Sequence, residues 1–441
     1  MPQAVFSILD FGAVPGGDVL CTQAIQNTID ACASGGGGVV LVPAGTYKIG
    51  TLWLRSHVEL HLSSGAVLQA STNLDDFNTE DAYPQNWGCP NEQWNACHLI
   101  IAHETEDVSI TGNGVIDGSA EAYFDAPRFA GDDPGSAWLY YTWEYGLALA
   151  KDKERLRPGQ ALVFIECRNI RLEDFTIRNV TCWSCFLHGC DNAHIRGLSI
   201  FNTAYHANTD GIDIDSCSHV TLSGCTIDTG DDAIAIRGSN SRLKNSEKRC
   251  EYVTVTGCVL GSSSSVFRIG VGKGDIAHVS ISDIVISRGG TGLHIMSNWN
   301  REYSTGIRDV KISNITAEHV NFPIVISAGA WKPITDITVD NYTAECTASC
   351  RISAEKNAMC RRITLRNIAL RLTEKELPVP MNDAIRAVRG RAVFEALHTE
   401  DLTLDGFTVI SDADTAGTWD DMLRIRSCPG LSLRNTGFPK A

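Results

Sequence analysis

Short runs of alternating apolar residues recur along the chain from residue 160 onward, and they limit the possible folds more than any other feature. Each repeat has one such run, a small or polar turn and a second run, as in 161–180, 185–203 and 209–229. Alternation indicates β-strands that bury one face. No repeat keeps the helical period of about 3.6 residues. We therefore predict an all-β fold.

The repeats are also in phase with one another. Cys167, Cys190 and Cys217 each begin the pattern Cys-x-(Asn or His)-apolar-x-apolar, so equivalent side chains of successive repeats would stack. A repeat of roughly 20 to 35 residues fits a parallel β-helix, whose coils bury their inner faces against neighbouring coils. A β-propeller needs four strands per blade and a longer repeat. We predict one continuous parallel β-helix over residues 1–441.

Two segments differ from the repeats. An amphipathic pattern with Ala24, Ile25 and Ile29 on one side predicts a helix that caps the open end of the solenoid. About residues 1–50 would form this cap and the first coil. Residues 119–160 interrupt the repeat and are rich in Tyr, Trp, Phe and Arg. This insertion either lines a binding cleft or packs against the flank of the solenoid.

Charge and cysteine content narrow the possible partners. The net charge of -15 argues against a nucleic-acid or anionic-membrane surface. No signal-peptide pattern opens the chain, so we expect a cytoplasmic protein whose 16 cysteines are mostly reduced. Cys182 and Cys185 form a CxxC pair, but no second pair lies at ligand spacing. No metal and no cofactor are predicted, and the oligomeric state is left undetermined.

Three aspartates are predicted to meet on the outside of the solenoid. Ile212 and Ile234 point inward and are 22 residues apart (234 − 212), which is one coil. This register places Asp210 beside Asp231 and Asp232, at the strand spacing of about 4.8 Å. Crowded carboxylates raise the pKa of at least one group and leave another ionised. Glycoside hydrolysis needs such an acid and base.

Other interpretations of the cluster stay open at this level. Outward-pointing aspartates also suit Ca²⁺. Asp-Gly and Gly-Asp pairs are also frequent in plain turns. The same alternation directs Asp213 and Asp215 outward, away from the core.

Seven segments resemble one family, in the order in which the family has them. They are "FSILDFGAVPGGD", "VPAGTYKIG", "HVELHLSSGAVLQAS", "ITGNGVIDG", "RPGQALVF", "NTDGIDIDSC" and "TGDDAIAIRG". The chain resembles the polygalacturonase-like glycoside hydrolases of family 28. The resemblance implies a right-handed parallel β-helix and hydrolysis by single displacement, with inversion at the anomeric carbon. By position, Asp231 would be the general acid, and Asp210 with Asp232 would hold and deprotonate the water.

The chain departs from the family where a galacturonate carboxylate would be held. Ser264 falls at the histidine of the family's Gly-His-Gly, and His294-Ile295-Met296 replaces its Arg-Ile-Lys. A buried carboxylate needs a charge-assisted partner, which Met296 cannot provide. His294 could bind it when protonated.

Four further residues are predicted near the substrate. Arg268 or Arg237 could restore a positive charge, although Arg268 could equally be a solvated strand side chain. Asn208 is predicted to bind substrate beside the aspartates, and Trp299 to stack on a sugar ring.

These observations favour an inverting, exo-acting glycosidase whose partners are pectin-derived oligosaccharides that carry galacturonate or rhamnose. The alternatives are a β-helix polysaccharide lyase or epimerase, or a catalytically inactive glycan-binding β-helix.

Overall fold

The computed structural model describes residues 4–79, 82, 97–123, 157–204, 206, 208–300, 303–357, 359–373, 392–411 and 419–437, with only the backbone at 299 and 300. Most of the predicted insertion 119–160 lies outside these residues. The single α-helix found there is α1 (Thr22–Ser34), and short 3-10 turns span Ile8–Phe11, Leu74–Asp76 and Ala120–Ala122.

The remaining elements are strands. In chain order they are β1 (Val5–Ser7), β2 (Gly38–Val42), β3 (Gly45–Ile49), β4 (Leu52–Trp53), β5 (Val58–Leu62), β6 (Ala66–Ala70), β7 (Ile100–His103), β8 (Glu106–Gly112), β9 (Val115–Asp117), β10 (Leu162–Ile165), β11 (Arg168–Glu173), β12 (Thr176–Arg178), β13 (Cys185–His188), β14 (Asp191–Arg196), β15 (Ser199–Phe201), β16 (Ile212–Asp215), β17 (Ser218–Ser223), β18 (Thr226–Thr229), β19 (Ile234–Gly238), β20 (Cys250–Thr256), β21 (Val259–Ser262), β22 (Ser265–Gly272), β23 (Asp275–Met296), β24 (Asn298–Asn300), β25 (Tyr303–Ser304), β26 (Gly306–Ala328), β27 (Ile334–Cys346), β28 (Cys350–Ala354), β29 (Cys360–Leu372), β30 (Ala392–Leu397), β31 (Thr399–Ile410), β32 (Asp421–Arg426) and β33 (Ser432–Arg434).

The strands form three parallel faces that wind around one axis. Strands β10, β13, β16, β19 and β22 pair in that order on the face that carries the candidate site, which we call the site face. β11, β14, β17 and β20 form the second face, and β12, β15, β18 and β21 the third. From β23 onward, long strands bend from one face to the next. The prediction of a right-handed parallel β-helix is confirmed.

The interior consists of stacked apolar side chains in the predicted register. Ile212 is opposite Ile234 and both are fully buried, so one coil here is 22 residues long. The predicted cysteine column also forms, since the Cys190 N–H lies 3.3 Å from the Cys217 Sγ. Each coil is stabilised mainly by the coils before and after it, on which its inward side chains stack.

The turn from the site face into the second face repeats a left-handed backbone conformation, which falls at the second residue of β11 and of β14. Asn169 and Asn192 have φ of 57° and 58°, and the Asn192 side-chain amide donates to the Asn169 amide oxygen at 2.8 Å. Asparagine tolerates this conformation because its short side chain hydrogen-bonds locally. Equivalent turns thus stack as the strands do.

The helix α1 covers the first coil, as predicted. Its buried side Ile25, Ile29 and Cys32 packs against β1, β2, β4 and β5. It shields a sheet end that would otherwise expose unpaired backbone groups. The limits of the cap and of the single domain stay predictions. Among the described residues, no helix is long and apolar enough to span a membrane.

The outer side of the site face is itself buried in its first coils. Val163, Trp183 and Phe186 form an apolar cluster on this outer side, separate from the solenoid interior. Asp213 and Asp215 do point away from the interior, but they are 0% and 1% exposed. Alternation reports which side of a strand a residue is on, and here both sides are covered.

Candidate active site

The carboxylate cluster is built from the turns that lead into β16 and β19. The Gly211 N–H donates to the Asp232 carbonyl at 2.9 Å, so Asp210 and Asp232 occupy equivalent positions on successive coils. Asp231 lies one residue earlier. One carboxylate oxygen of each of the three lies within 4.8 Å of the others. The predicted meeting of the three aspartates is thus present in the structure.

Backbone packing fixes the turn that carries the aspartate pair. The Asp231 carbonyl accepts hydrogen bonds from the Thr229 and Ser262 hydroxyls, both at 2.7 Å. Gly230 must be glycine here, because a Cβ atom would lie 2.1 Å from the His206 carbonyl oxygen. Two adjacent carboxylates are therefore held in place by contacts from three coils.

Asp232 is the ionised member of the cluster. Its carboxylate accepts from Arg268 Nε at 2.9 Å and Nη2 at 3.2 Å, and from the Ser265 N–H at 3.0 Å. Burial alone would raise the pKa of Asp232, but the Arg268 guanidinium and these hydrogen bonds hold it below its usual value. Such a fork-shaped pair is the strongest geometry available to a guanidinium.

Asp231 keeps its proton to a higher pH. Burial and the adjacent Asp232 charge raise the pKa of Asp231 to about 6. The shift is limited by Arg268, by the Asn208 N–H, which donates at 3.0 Å, and by the Ser264 side chain. As a whole residue Asp231 is half-buried, whereas Asp210 and Asp232 are 5% and 7% exposed.

Asp210 is protonated over a wide range as well. Burial, followed by the charges of Asp231, Asp213 and Asp232, raises the pKa of Asp210 well above its usual value. The cluster thus offers proton donors beside one firmly ionised carboxylate. An acid and a base within reach of one bond are the groups that hydrolysis of a glycosidic bond requires.

Arg237 lies in a buried network of charged side chains beside the site, and its predicted contact with a substrate carboxylate stays a prediction. Its guanidinium lies 3.6 Å from Asp213 and 3.4 Å from Asp215, and it stacks over the Trp183 ring at 4.6 Å. His188 completes this buried network at 3.5 Å from Asp215. A buried guanidinium needs carboxylates to compensate its charge, and Asp213 and Asp215 provide them for Arg237.

Arg268 and His294 lie side by side next to the carboxylate cluster, and their substrate-binding roles stay predictions. Arg268 is 8% exposed and paired with Asp232, so it is not a solvated side chain. His294 lies next to Arg268 on the following coil, and its Nδ1 is 3.2 Å from the Ser265 hydroxyl. Burial and the Arg268 charge lower the pKa of His294 to about 3. His294 is therefore neutral near pH 7.

Of the last two predicted substrate residues, Asn208 has a described side chain and Trp299 does not. Asn208 adopts φ of 58°, and its side-chain oxygen accepts from Arg157 at 3.2 Å, so it orders the turn before Asp210. Trp299 belongs to β24, but its side chain lies outside the described part of the chain. Its predicted sugar stacking stays a prediction.

Sequence reasoning missed Arg157. This guanidinium is 2% exposed, donates to the Thr181 carbonyl and to Asn208, and lies near Asp210 and Asp231. The sequence feature that could have indicated a role for Arg157 is its place at the start of "RPGQALVF", the segment that leads into the buried strand β10. Its positive charge partly offsets the crowding of the carboxylates.

The three carboxylates are one of two groups of described residues whose ligand atoms lie close enough together to hold a cation. Calcium takes six to eight oxygen ligands. Both oxygens of Asp232 are already engaged by Arg268 and the Ser265 N–H, and Arg157 adds a second buried guanidinium near Asp210. The donor set therefore fits a proton-transfer site better than a calcium site.

Comparison with known proteins agrees with this geometry. The profile of the glycosyl hydrolases family 28 matches residues 32–382. A probable polygalacturonase of Vitis vinifera is 30% identical over 52% of this chain and 44% of its own. An exopolygalacturonase of Arabidopsis thaliana is 24% identical over 73% of this chain and 66% of its own. The chain thus spans less than two thirds of the length of either relative.

A solved structure has the same fold. The family 28 exopolygalacturonase of Yersinia enterocolitica superposes with a TM-score of 0.70 at 21% identity, covering 97% of this chain and 78% of that one. The family 28 profile match, over residues 32–382, includes both turns that carry the aspartates. The chain belongs to family 28 of the glycosyl hydrolases.

Proposed function

We propose that the protein hydrolyses O-glycosidic bonds in pectin-derived oligosaccharides. One observation carries the proposal: Asp231, whose pKa is raised to about 6, is adjacent to Asp232, whose pKa is lowered by Arg268. Environments that push neighbouring pKa values apart mark an acid and a base. The polygalacturonase names of the relatives support pectin as the substrate class.

In the proposed mechanism Asp231 is the general acid. Its proton goes to the glycosidic oxygen as the bond to the anomeric carbon breaks. The oxygen of a water molecule bonds to that carbon, and the water proton goes to Asp232. Asp210 orients the water as a hydrogen-bonding partner. Asp231 suits the acid role because its pKa is raised to about 6, so it still carries a proton in mildly acidic solution.

Inversion of the anomeric carbon is the expected stereochemical outcome. The family resemblance supports it, because the resemblance implies hydrolysis by single displacement. One oxygen of each carboxylate lies within 4.8 Å of the others, and the two catalytic carboxyl groups are typically about 5–5.5 Å apart in retaining enzymes and about 6.5–9.5 Å apart in inverting ones. The stereochemistry of the product is therefore a direct test.

The charges around the site support a short or partly neutral substrate. Arg268 is engaged by Asp232, Arg237 by Asp213 and Asp215, and His294 is neutral. A galacturonate carboxylate gains little from such groups at the described part of the site. We propose exo-acting release of a terminal sugar from fragments that contain galacturonate or rhamnose.

A panel of homogalacturonan and rhamnogalacturonan oligosaccharides of defined length tests this proposal. We expect one monosaccharide per cleavage with the wild type, and loss of turnover in Asp231→Asn. Asp309→Asn, at an exposed aspartate on the second face, is the control and should retain full activity. Early release of large oligomers would refute the exo mode. Unsaturated products absorbing in the near ultraviolet would identify a lyase, and binding without turnover would indicate a glycan-binding protein.

A further inference from the structure

We propose that Arg288 is a positioning residue that holds together the three turns from which the carboxylate cluster is built, without touching the carboxylates themselves. The inference rests on the proposed function, because it concerns the geometry of the same site. Arg288 belongs to β23, on the coil after β21, and its side chain is 15% exposed.

The Arg288 guanidinium spans two coils with its hydrogen bonds. Nη1 donates to the Ser263 hydroxyl at 3.0 Å, and Nη2 donates to the Thr229 carbonyl at 3.1 Å and to the Asp228 carboxylate. Thr229 precedes the aspartate pair, and Ser263 precedes Ser264 and Ser265. One side chain therefore links the turn before β19 to the turn before β22.

Two of these contacts connect Arg288 to the segments that carry Asp231 and Asp210. The Thr229 hydroxyl donates to the Asp231 carbonyl at 2.7 Å. The Ser263 hydroxyl, which accepts from Arg288, donates in turn to the Ala204 carbonyl at 2.7 Å, in the segment that leads to Asp210. The turns before β16, β19 and β22 are thereby coupled through Arg288.

The hydrogen bonds of residue 288 fit arginine better than lysine. Three acceptors in different directions match the planar fork of a guanidinium, whereas an ammonium is a point charge on a flexible stem. Asp228 is 46% exposed in its side chain, so its ion pair contributes little stability by itself. The contacts to Ser263 and Thr229 are therefore the informative ones.

Arg288→Ala and Arg288→Lys test the role by separating kcat from KM. Misplacing a reacting group by about 1 Å can cost about 100-fold in rate. We expect kcat to fall about 10- to 100-fold in Arg288→Ala with KM changed less than about threefold. Added methylguanidinium should restore part of the rate in Arg288→Ala. Arg288→Lys should retain an intermediate rate.

The matched control is Arg362→Ala, which removes an exposed arginine ion pair with Asp336 between the distant strands β29 and β27. It should leave kcat unchanged and show no response to methylguanidinium. Unchanged kcat in Arg288→Ala would overturn the inference. An equal loss in both variants, or a loss that methylguanidinium does not relieve, would show a general structural effect and would also overturn it.

A second readout does not need turnover. The Asp231 carboxyl band can be isolated as the infrared difference between wild type and Asp231→Asn, and titrated. We expect Arg288→Ala to lower its midpoint from about 6 toward the ordinary 3.8, because a loosened turn lets water reach the carboxyl group. An unchanged midpoint would refute the positioning role. Wild-type inactivity on every substrate would refute only the proposed function.

Discussion

Replacing the proposed general acid should make the folded protein more stable above pH 6. The pKa of Asp231 rises from an ordinary 3.8 to about 6 in the folded chain. As pH rises, the unfolded chain loses this proton first, so ionisation favours unfolding between these values. A difference of about two between the pKa values corresponds to about 3 kcal/mol.

Asp231→Asn removes that charge but also one hydrogen-bond acceptor. The two carboxylate oxygens accept separately from the Asn208 and Asp232 N–H groups, both at 3.0 Å. An amide presents only one oxygen, and the lost acceptor costs about 1–2 kcal/mol. We therefore expect the variant to gain about 1–2 kcal/mol at pH 8 and to lose stability at pH 4.

Urea unfolding of wild type, Asp231→Asn and Asp232→Asn at pH 4 and pH 8 measures these differences. Asp232→Asn is the matched control. We expect it to lower the free energy of unfolding at pH 8, because it leaves the buried Arg268 guanidinium without its carboxylate. Loss of one partner of a buried pair costs about 3–5 kcal/mol. Equal destabilisation of both variants at pH 8 would refute the assignment of opposite pKa shifts to the two neighbours.

Three further predictions follow from the same contacts. Activity should fall as pH rises through about 6, because Asp231 must carry its proton; a kcat/KM profile that is flat from pH 5 to 8 would contradict this. Arg268→Gln should cost about 3–5 kcal/mol of stability and move the acidic limb of the same profile upward, since the pKa of Asp232 is no longer held down. Gly270→Ala should cost about 1–3 kcal/mol in a thermal melt, because its Cβ would lie 2.0 Å from the Met296 carbonyl oxygen at a φ of 141°; an unchanged melting temperature would show that β22 can shift freely.

The register of the solenoid was predictable because it depends on period and phase. The 22-residue step from Ile212 to Ile234 already placed Asp210 beside Asp231 and Asp232, and the structure has the same pairing. Strand alternation and repeat length are local properties that a single sequence records. The cysteine column follows from the same phase.

The partners of the charged residues were not predictable in the same way. Alternation places Asp213 and Asp215 on the outer side but does not reveal that Arg237, His188 and Trp183 cover them. The Arg268 to Asp232 pair joins residues 36 positions apart, from β22 to the turn before β19. Such contacts depend on side-chain reach across coils. The cytoplasmic location stays a prediction.

The central claim is that this carboxylate cluster hydrolyses a glycosidic bond, and the anomeric proton signal of the first product tests it most directly. Proton NMR of the wild type with pectic oligosaccharides should show one released sugar that first appears with inverted configuration, and no such signal with Asp231→Asn. A product of retained configuration would contradict the single displacement. Undiminished product from Asp231→Asn would contradict the assignment of the site.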